Sequence, residues 1–526
     1  MTFAENIHRG KGLLRYLFLF VGANILLAGT IWAQAAASVS GRALDISGSA
    51  IPGAGITVRS VETGAIRTVG TDESGLYRAL SLPVGRYEIR AEKDGFKTEI
   101  RSGITLVVGQ EAVVNLTLEV GQVQQELTVT AEAPLVNTTT SQTAGLVGER
   151  EVKELPLNGR SFDNLITLNA GTVNFTSMRS AGTGGFGNAF SVSGRRPGEN
   201  FFLLNGVEYT SASQIETTPG GASGQLLGID AIREFNVVKD DYSAAYGKRA
   251  GGQVSMVTMS GTNQLHGSVF EFLRNSVLDA RNFFDQADIP PFKRNSFGGS
   301  AGGPIRKDRT FVFGNYEGFR QRLGLSNVAV VPDNNARRGL LPDARNPGQF
   351  INVGLAPGIA PYFALWPEPN GASLGDGTAL LYNNPASPIN ENFLTTRLDH
   401  SFSERDSLSG VYTFDGGNSI NPSVNPSSGQ RLRARNQVVS MQDAHTFSPT
   451  IVNTFTAGFS RGMFLQISSP LVEFPASLSS VPGRPAPAIA IASSAGAQTG
   501  AQGIAAAGST GNTHLALVAR DRKSVV

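Results

Sequence analysis

Beyond its first 35 residues the chain has no stretch approaching the roughly 18 consecutive apolar residues that a membrane-spanning helix needs. Any part of it that enters a bilayer must do so as β-strands, the other structure that satisfies backbone N–H and C=O groups internally. Composition agrees. With 62 glycines, 30 phenylalanines against two tryptophans, and a charged fraction of 16%, the sequence suits a turn-rich, mainly β fold better than a helical enzyme. At 526 residues and 40% hydrophobic content there is material for several cores. A net charge of +2 supplies no field for nucleic acid, and the run Arg431-Leu432-Arg433-Ala434-Arg435 reads as solvated loop charge. The absence of cysteine excludes disulfide frameworks and thiolate metal sites.

The amino terminus carries a compartment signal. His8, Arg9, Lys11 and Arg15 accompany an apolar run at residues 16–31, and Ala33-Gln34-Ala35 fits the small-x-small rule for cleavage. Residues 1–35 are therefore expected to be a secretory signal peptide cut after Ala35 or Ala37, a retained anchor being the other reading.

Residues 38–120 have the spacing of a β-sandwich. Short apolar runs at 56–61, 76–80, 87–91 and 113–118 alternate with turn signals at Ser47-Gly48, Thr63-Gly64, residues 72–75, Pro83 to Gly85, and Asp94-Gly95. The segments Thr71-Asp72-Glu73-Ser74-Gly75-Leu76-Tyr77, Leu82-Pro83-Val84-Gly85-Arg86-Tyr87 and Gly95-Phe96 resemble a carboxypeptidase regulatory-like domain. That resemblance implies an Ig-like sandwich used for spacing or interaction. The segment holds no histidine and its acids sit in turns, so no catalytic role is expected.

A polar linker is expected at residues 121–141. Within it, Glu126, Leu127, Thr128, Val129, Thr130 and Ala131 resemble a TonB box, the segment by which outer-membrane transporters are gripped from the periplasm. An exposed extended segment can add to the sheet edge of a partner. A last strand of the sandwich, or a first strand of the next domain, is an equally open reading of these six residues.

Residues 142–263 mix glycine-rich loops with short strands. Leu155-Pro156-Leu157-Asn158-Gly159-Arg160-Ser161-Phe162 gives a turn, Ser191-Val192-Ser193-Gly194 a strand, and Phe201 to Val207 a strand broken by an Asn-Gly turn. With residues 229–238, residues 246–254 and Ser260-Gly261-Thr262-Asn263, their order resembles the α+β plug domain of Oar-like TonB-dependent receptors, with Met259 departing from the lysine expected there. Gly182-Thr183-Gly184-Gly185-Phe186-Gly187 matches a dinucleotide fingerprint, but no apolar strand precedes it and no helical period follows. His8, His266, His400, His445 and His514 are scattered, and no G-x-S-x-G elbow occurs. No catalytic, cofactor or metal residue is assigned, and no enzyme is expected.

From residue 264 onward the pattern resembles the opening strands of a receptor barrel. His266 begins the first. A hairpin follows at residues 295–320, its turn expected from Gly302 through Asp308, and the next strand puts Phe311, Phe313, Asn315 and Glu317 on one face. Leu394, Thr396, Leu398, His400 and Phe402 oppose Thr395, Arg397, Asp399 and Ser401, a lipid-out, lumen-in alternation. Short turns alternate with long excursions at residues 323–390 and 468–512, as periplasmic turns alternate with extracellular loops. Only about six to eight strands fit, against roughly 22 in such a transporter, so the expectation is an incomplete transmembrane β-barrel, the truncated front part of a longer receptor.

The resemblance implies an outer-membrane protein of a Gram-negative-type bacterium. It would take up an extracellular ligand, whether oligosaccharide, siderophore or peptide, under the pull of the TonB complex, with outer-membrane lipid around it. A surface adhesin or glycan-binding structural protein is the alternative.

Overall fold

A computed structural model describes residues 37–121, 126–130, 143–176, 187–209, 218–240, 247–281, 289–343, 345–448, 451–479, 481–483, 489–493, 496–504 and 508–525. The expected signal peptide, residues 1–35, lies outside the described residues, as do residues 182–186 of the glycine-rich decoy. Among the described residues no helix is long and apolar enough to cross a membrane.

The first unit comprises strands β1 (Ala37–Asp45), β2 (Gly55–Ser60), β3 (Ile66–Gly70), β4 (Leu76–Leu82), β5 (Gly85–Glu92), β6 (Thr98–Leu106), β7 (Glu111–Val113), β8 (Leu116–Leu118) and β9 (Glu126–Thr130). One sheet runs β4-β1-β7 with β8 also on β1, and the other runs β3-β2-β5-β6-β9. Alternate residues of both sheets, among them Val39, Ile56, Val58, Tyr77, Ile89, Ile104, Leu116 and Leu118, form a shared buried core. The Asp72 carboxylate shapes the turn into β4, accepting from the N–H groups of Ser74 and Leu76 at 2.8 and 2.9 Å. The run expected at 113–118 is two strands, because Val114 and Asn115 leave the ladder. Asn115 instead accepts from the Arg42 N–H at 3.0 Å through its side chain. Gly41 is required opposite this break, since a Cβ there would lie 1.9 Å from the Val114 carbonyl oxygen.

The second unit contains β10 (Thr143–Val147), a short helix Glu149–Glu154, β11 (Thr172–Asn174), β12 (Phe190–Val192), β13 (Phe201–Leu204), β14 (Val207–Glu208), β15 (Ile232–Asp240) and β16 (Gln253–Thr258). Its main sheet has the order β10-β15-β16-β13-β14, with β13 parallel to β16. Asn205 and Gly206, both at positive φ, make the tight β13–β14 hairpin that an Asn-Gly pair favours.

The third unit is a wall. Its elements are β17 (His266–Asn275), β18 (Phe292–Arg306), β19 (Thr310–Gly324), β20 (Asn327–Pro332), β21 (Leu340–Pro342), β22 (Phe350–Asn352), β23 (Thr378–Asn383), β24 (Ala386–Ser403), β25 (Asp406–Pro422), β26 (Ser428–Ser448), β27 (Ile451–Pro470), β28 (Ile489–Ser493), β29 (Gly496–Ile504) and β30 (Gly508–Val525). Eight of them form one antiparallel sheet, β17-β18-β19-β24-β25-β26-β27-β30, with β17 and β30 at its edges. The expected alternation on β24 is present: Glu391, Phe393 and Thr395 are buried on the inner face, whereas Thr396, Leu398 and Phe402 are exposed on the outer.

Two expectations change here. Gly302 to Arg306 continue β18, with Pro304 opposite Phe311 and an irregularity before Arg306, so the turn narrows to residues 307–309. Proline is accommodated at such an irregularity because no ladder N–H is demanded of it. The run Arg431 to Arg435 is β-strand rather than loop; Leu432 and Ala434 are buried inward, while Arg431 and Arg433 are exposed on the opposite face. The excursion after β19 is ordered around Trp366, Leu365, Ala329, Val331 and Leu381. Part of the 468–512 excursion is also paired as β28–β29 and the start of β30.

Candidate functional site

Antiparallel register brings three carboxylates together on the inner wall. Glu317 and Asp415 both lie opposite Phe393 on the neighbouring strands, and Glu391 follows two residues away on the same face of β24. All three side chains are essentially fully buried. They are covered by loops of the second unit.

Backbone N–H groups of that unit meet the acids directly. Gly228 N–H donates to Glu317 Oε2 at 2.9 Å, and Ser223 N–H donates to Glu391. Gly221 sits against the other pair: a Cβ there would fall 2.4 Å from Glu391 Oε1 and 2.7 Å from Asp415 Oδ1, so a side chain cannot enter without moving the wall. Gly228, at φ +84°, is pressed against the Phe393 ring in the same way.

Arg160 ties this surface together. Its Nη2 donates to Asp230 Oδ2 at 2.8 Å, its Nε lies 3.7 Å from Glu317 Oε1, and its guanidinium lies 3.8 Å from the Phe270 ring centroid on β17. Further along, Arg397 Nη1 donates to the Thr258 carbonyl at 3.1 Å, Asn436 Nδ2 to the Pro219 carbonyl at 3.1 Å, and Ser440 Oγ to the Asn205 carbonyl at 3.0 Å. Apolar contacts fill the gaps, with Leu227, Ala231 and Met259 against Phe313, Phe319 and Phe393, and Ala222 against Leu432, Ala434 and Phe464. The second unit is thus held on the wall through mixed polar and apolar contacts.

Inside that unit Asp163 organises the loops that reach the wall. Its buried carboxylate accepts from Ser161 Oγ, from Asn188 Nδ2 at 2.9 Å and from Thr218 Oγ1 at 3.2 Å, while Ser161 Oγ in turn accepts from the Leu226 N–H at 2.9 Å. Burial pushes the Asp163 carboxyl above its ordinary range, and those three donors offset only part of the shift.

The sandwich is seated on both other units at the wall's short-turn end. Glu62 receives a two-pronged ion pair from Arg233, both bonds 2.8 Å, with each side chain only 12% exposed. Burial alone would raise the Glu62 carboxyl; Arg233, with help from Arg86, outweighs it and holds the group below the usual carboxylate range. Asn263 N–H donates to the Glu62 carbonyl at 2.9 Å, and Thr454 Oγ1 to Ser81 Oγ at 2.9 Å.

Next to Arg233, Glu234 accepts the Val108 N–H and is pushed up from 4.5 to about 7. Burial is the main cause. Glu149 and Glu62 add to the shift, while the Val108 N–H and Arg233 oppose it. The seated form therefore binds a proton that an exposed Glu234 would release. The stability contributed by this group is greatest below pH 4.5, falls as pH rises from there to about 7, and is absent above. Between pH 5 and pH 8 the first unfolding transition should lose about 2–3 kcal/mol by urea titration, and Glu234→Gln should flatten that profile.

The six residues expected as a coupling segment divide. Glu126–Thr130 form β9, the outer strand of the sandwich sheet, parallel to Thr98–Ser102 of β6. Ala131 lies outside the described residues. The histidines do not converge: His266 lies near Phe313, the His400 ring nitrogen is 2.8 Å from Thr310 Oγ1, and the His445 ring nitrogen is 3.6 Å from Asp406. Among the described residues no group of three or more His, Asp or Glu side chains has an arrangement that could hold a metal ion. Glu317 was marked by its strand parity, whereas Glu391, Asp415 and Asp163 were not. The same period-2 parity would have put Glu391 on the inner face, but only register shows which acids meet.

Known proteins extend this picture. A family model described as outer membrane beta barrel domain matches residues 257–520, and one described as carboxypeptidase regulatory-like domain matches residues 38–119. The TonB-dependent transporter Oar of Myxococcus xanthus is 25% identical over 320 residues, covering 58% of this chain and 28% of that protein. Among solved structures, the outer membrane transporter YddB of Escherichia coli matches with 11% identity and a TM-score of 0.43, over 73% of this chain and 54% of that one. The siderophore receptor PirA of Acinetobacter baumannii matches with 13% identity and a TM-score of 0.34, over 63% and 46%.

Proposed function

This chain belongs to the outer membrane beta barrel domain family, and from that membership we propose that it serves in an energy-coupled outer-membrane receptor of the TonB-dependent kind. The eight-stranded sheet is the lipid-facing wall, and residues 142–263 are the plug that occupies its inner side. The ligand binds from outside, in the long-excursion region, and TonB acts from the short-turn side through the segment that begins at Glu126. The carrying observation is the burial of Glu317, Glu391 and Asp415 beneath the second unit: a face with three carboxylates is suited to a lumen, and the opposite face, with Leu398 and Phe402 exposed, is suited to lipid. No covalent chemistry is part of this function.

The absence of native cysteine makes the test direct. In the bacterium that carries the gene, the full product should fractionate with the outer membrane. Leu398→Cys should react with a maleimide dissolved in the lipid phase and resist a water-soluble one, whereas Thr395→Cys should resist the lipid-phase reagent. Recovery in the soluble periplasmic fraction, with Leu398→Cys open to the water-soluble reagent, would refute the reading.

A further inference from the structure

The first unit is more than a spacer in its position. It lies across the end of the wall where residues 307–309 and 404–405 make the short turns, and it touches both other units there. Asn263 links the two sides of this contact: its N–H donates to the Glu62 carbonyl, and its side chain exchanges bonds of 2.7 and 2.8 Å with Asp308 on the turn between β18 and β19. Gly64, at φ +70°, approaches the same aspartate so closely that a Cβ would lie 2.2 Å from Asp308 Oδ1.

Behind these contacts is a chamber of about 760 Å³, bounded by Arg67 and Pro83 of the sandwich, Arg233 of the second unit, and Arg397, Ser409 and Gln442 of the wall. A space of that size is comparable to a small-molecule site. Its walls come from all three units and leave it half-open, so access to it widens if one of them moves. Among the described residues no strand pairing joins the sandwich to either other unit: its two sheets contain only β1 to β9.

We propose that the N-terminal sandwich is a lid over the short-turn side of the chamber, latched by the Glu62–Arg233 pair and the Val108–Glu234 bond, and that unseating it widens access to the chamber from that side. The latch is mechanically linked to the candidate coupling segment. β9 is bonded to β6, β6 to β5 and β5 to β2, and Glu62 lies two residues past the end of β2. A pull delivered through β9 therefore loads the latched sheet before it loads the second unit. The direction of traffic rests on the receptor reading; the latch does not.

The test uses the cysteine-free full chain with one reporter, Ser409→Cys, on the chamber wall, and follows its rate of labelling by a water-soluble fluorescein maleimide in detergent. The otherwise unchanged chain, in which Ser409 is half-buried, sets the reference rate. Arg233→Ala should speed it at least about tenfold, because one side of a buried ion pair is left unpaired. Arg59→Ala, on the chamber rim but outside the latch, should leave it unchanged. Should Arg233→Ala fail to fold, Glu62→Gln serves in its place. The exchanged pair Glu62→Arg with Arg233→Glu should restore the parent rate. Equal rates in the parent and in folded Arg233→Ala or Glu62→Gln would overturn the lid, and an exchanged pair as fast as the single variants would overturn the ion-pair latch. A chain that shows the rate differences but fractionates away from the outer membrane would sink the receptor reading and leave the lid standing.

Discussion

Removing Glu126 to Ala131 is expected to abolish energy-driven uptake by the complete receptor while leaving ligand binding at the cell surface intact. Strand addition to a partner's sheet draws its affinity from backbone hydrogen bonds, so losing the segment removes the grip itself. Uptake should fall at least roughly tenfold, to the rate seen when the proton gradient is collapsed, because without coupling the second unit stays seated on the wall. A milder variant separates loss of grip from loss of chain length: Val129→Pro keeps the spacing and deletes one backbone donor. In the structure this segment is bonded to β6 of the sandwich, so on the proposed function TonB would compete with an internal partner. Uptake that continues unchanged in the deletion would show that the coupling segment lies elsewhere.

The second large effect is expected at Arg160. This side chain bridges Asp230 in its own unit, Glu317 on β19 and the Phe270 ring on β17. Truncation to alanine removes the 2.8 Å bond to Asp230 and the guanidinium 3.7 Å from buried Glu317, losses that together typically cost about 1–3 kcal/mol. Thermal unfolding in detergent should show the second unit separating from the wall at lower temperature, with new protease cleavage between residues 158 and 230. Arg160→Lys should recover only part of the loss, since an ammonium cannot reproduce the planar fork or its stacking on Phe270. Glu317→Gln combined with Arg160→Ala should cost less than the two single changes added together, because the orphaned charge is gone. Full additivity would mean that Arg160 and Glu317 do not act as a pair.

Legibility differed between elements for identifiable reasons. Strand parity is local, and so the grouping of Phe311, Phe313, Asn315 and Glu317 on one face and the outward set Leu394, Thr396, Leu398 and Phe402 were readable from period-2 alternation alone, whereas the inward direction of the first group came from the structure. The tight Asn205-Gly206 hairpin was equally local, because positive φ at two successive positions is a property of those residue types. The turn at residues 307–309 was misplaced because Gly302, Gly303 and Pro304 carry the usual marks of a turn, yet long-range pairing with β19 keeps them in strand. The six residues from Glu126 could not be decided between free segment and sandwich strand. An edge strand and an unpaired extended segment have the same composition.

The sequence by itself determined that this chain is built of strands, which faces of the longer strands are apolar, and where the sandwich gives way to glycine-rich loops; each follows from side-chain period and turn chemistry over a few residues. Only the tertiary structure decided that Glu317, Glu391 and Asp415 share one buried patch, that Arg160 reaches it, and that Glu62 of the sandwich finds Arg233 across 171 positions of sequence. Such meetings depend on strand register and on how separate units dock. Both are fixed by contacts between distant residues, whose free energies no local pattern contains.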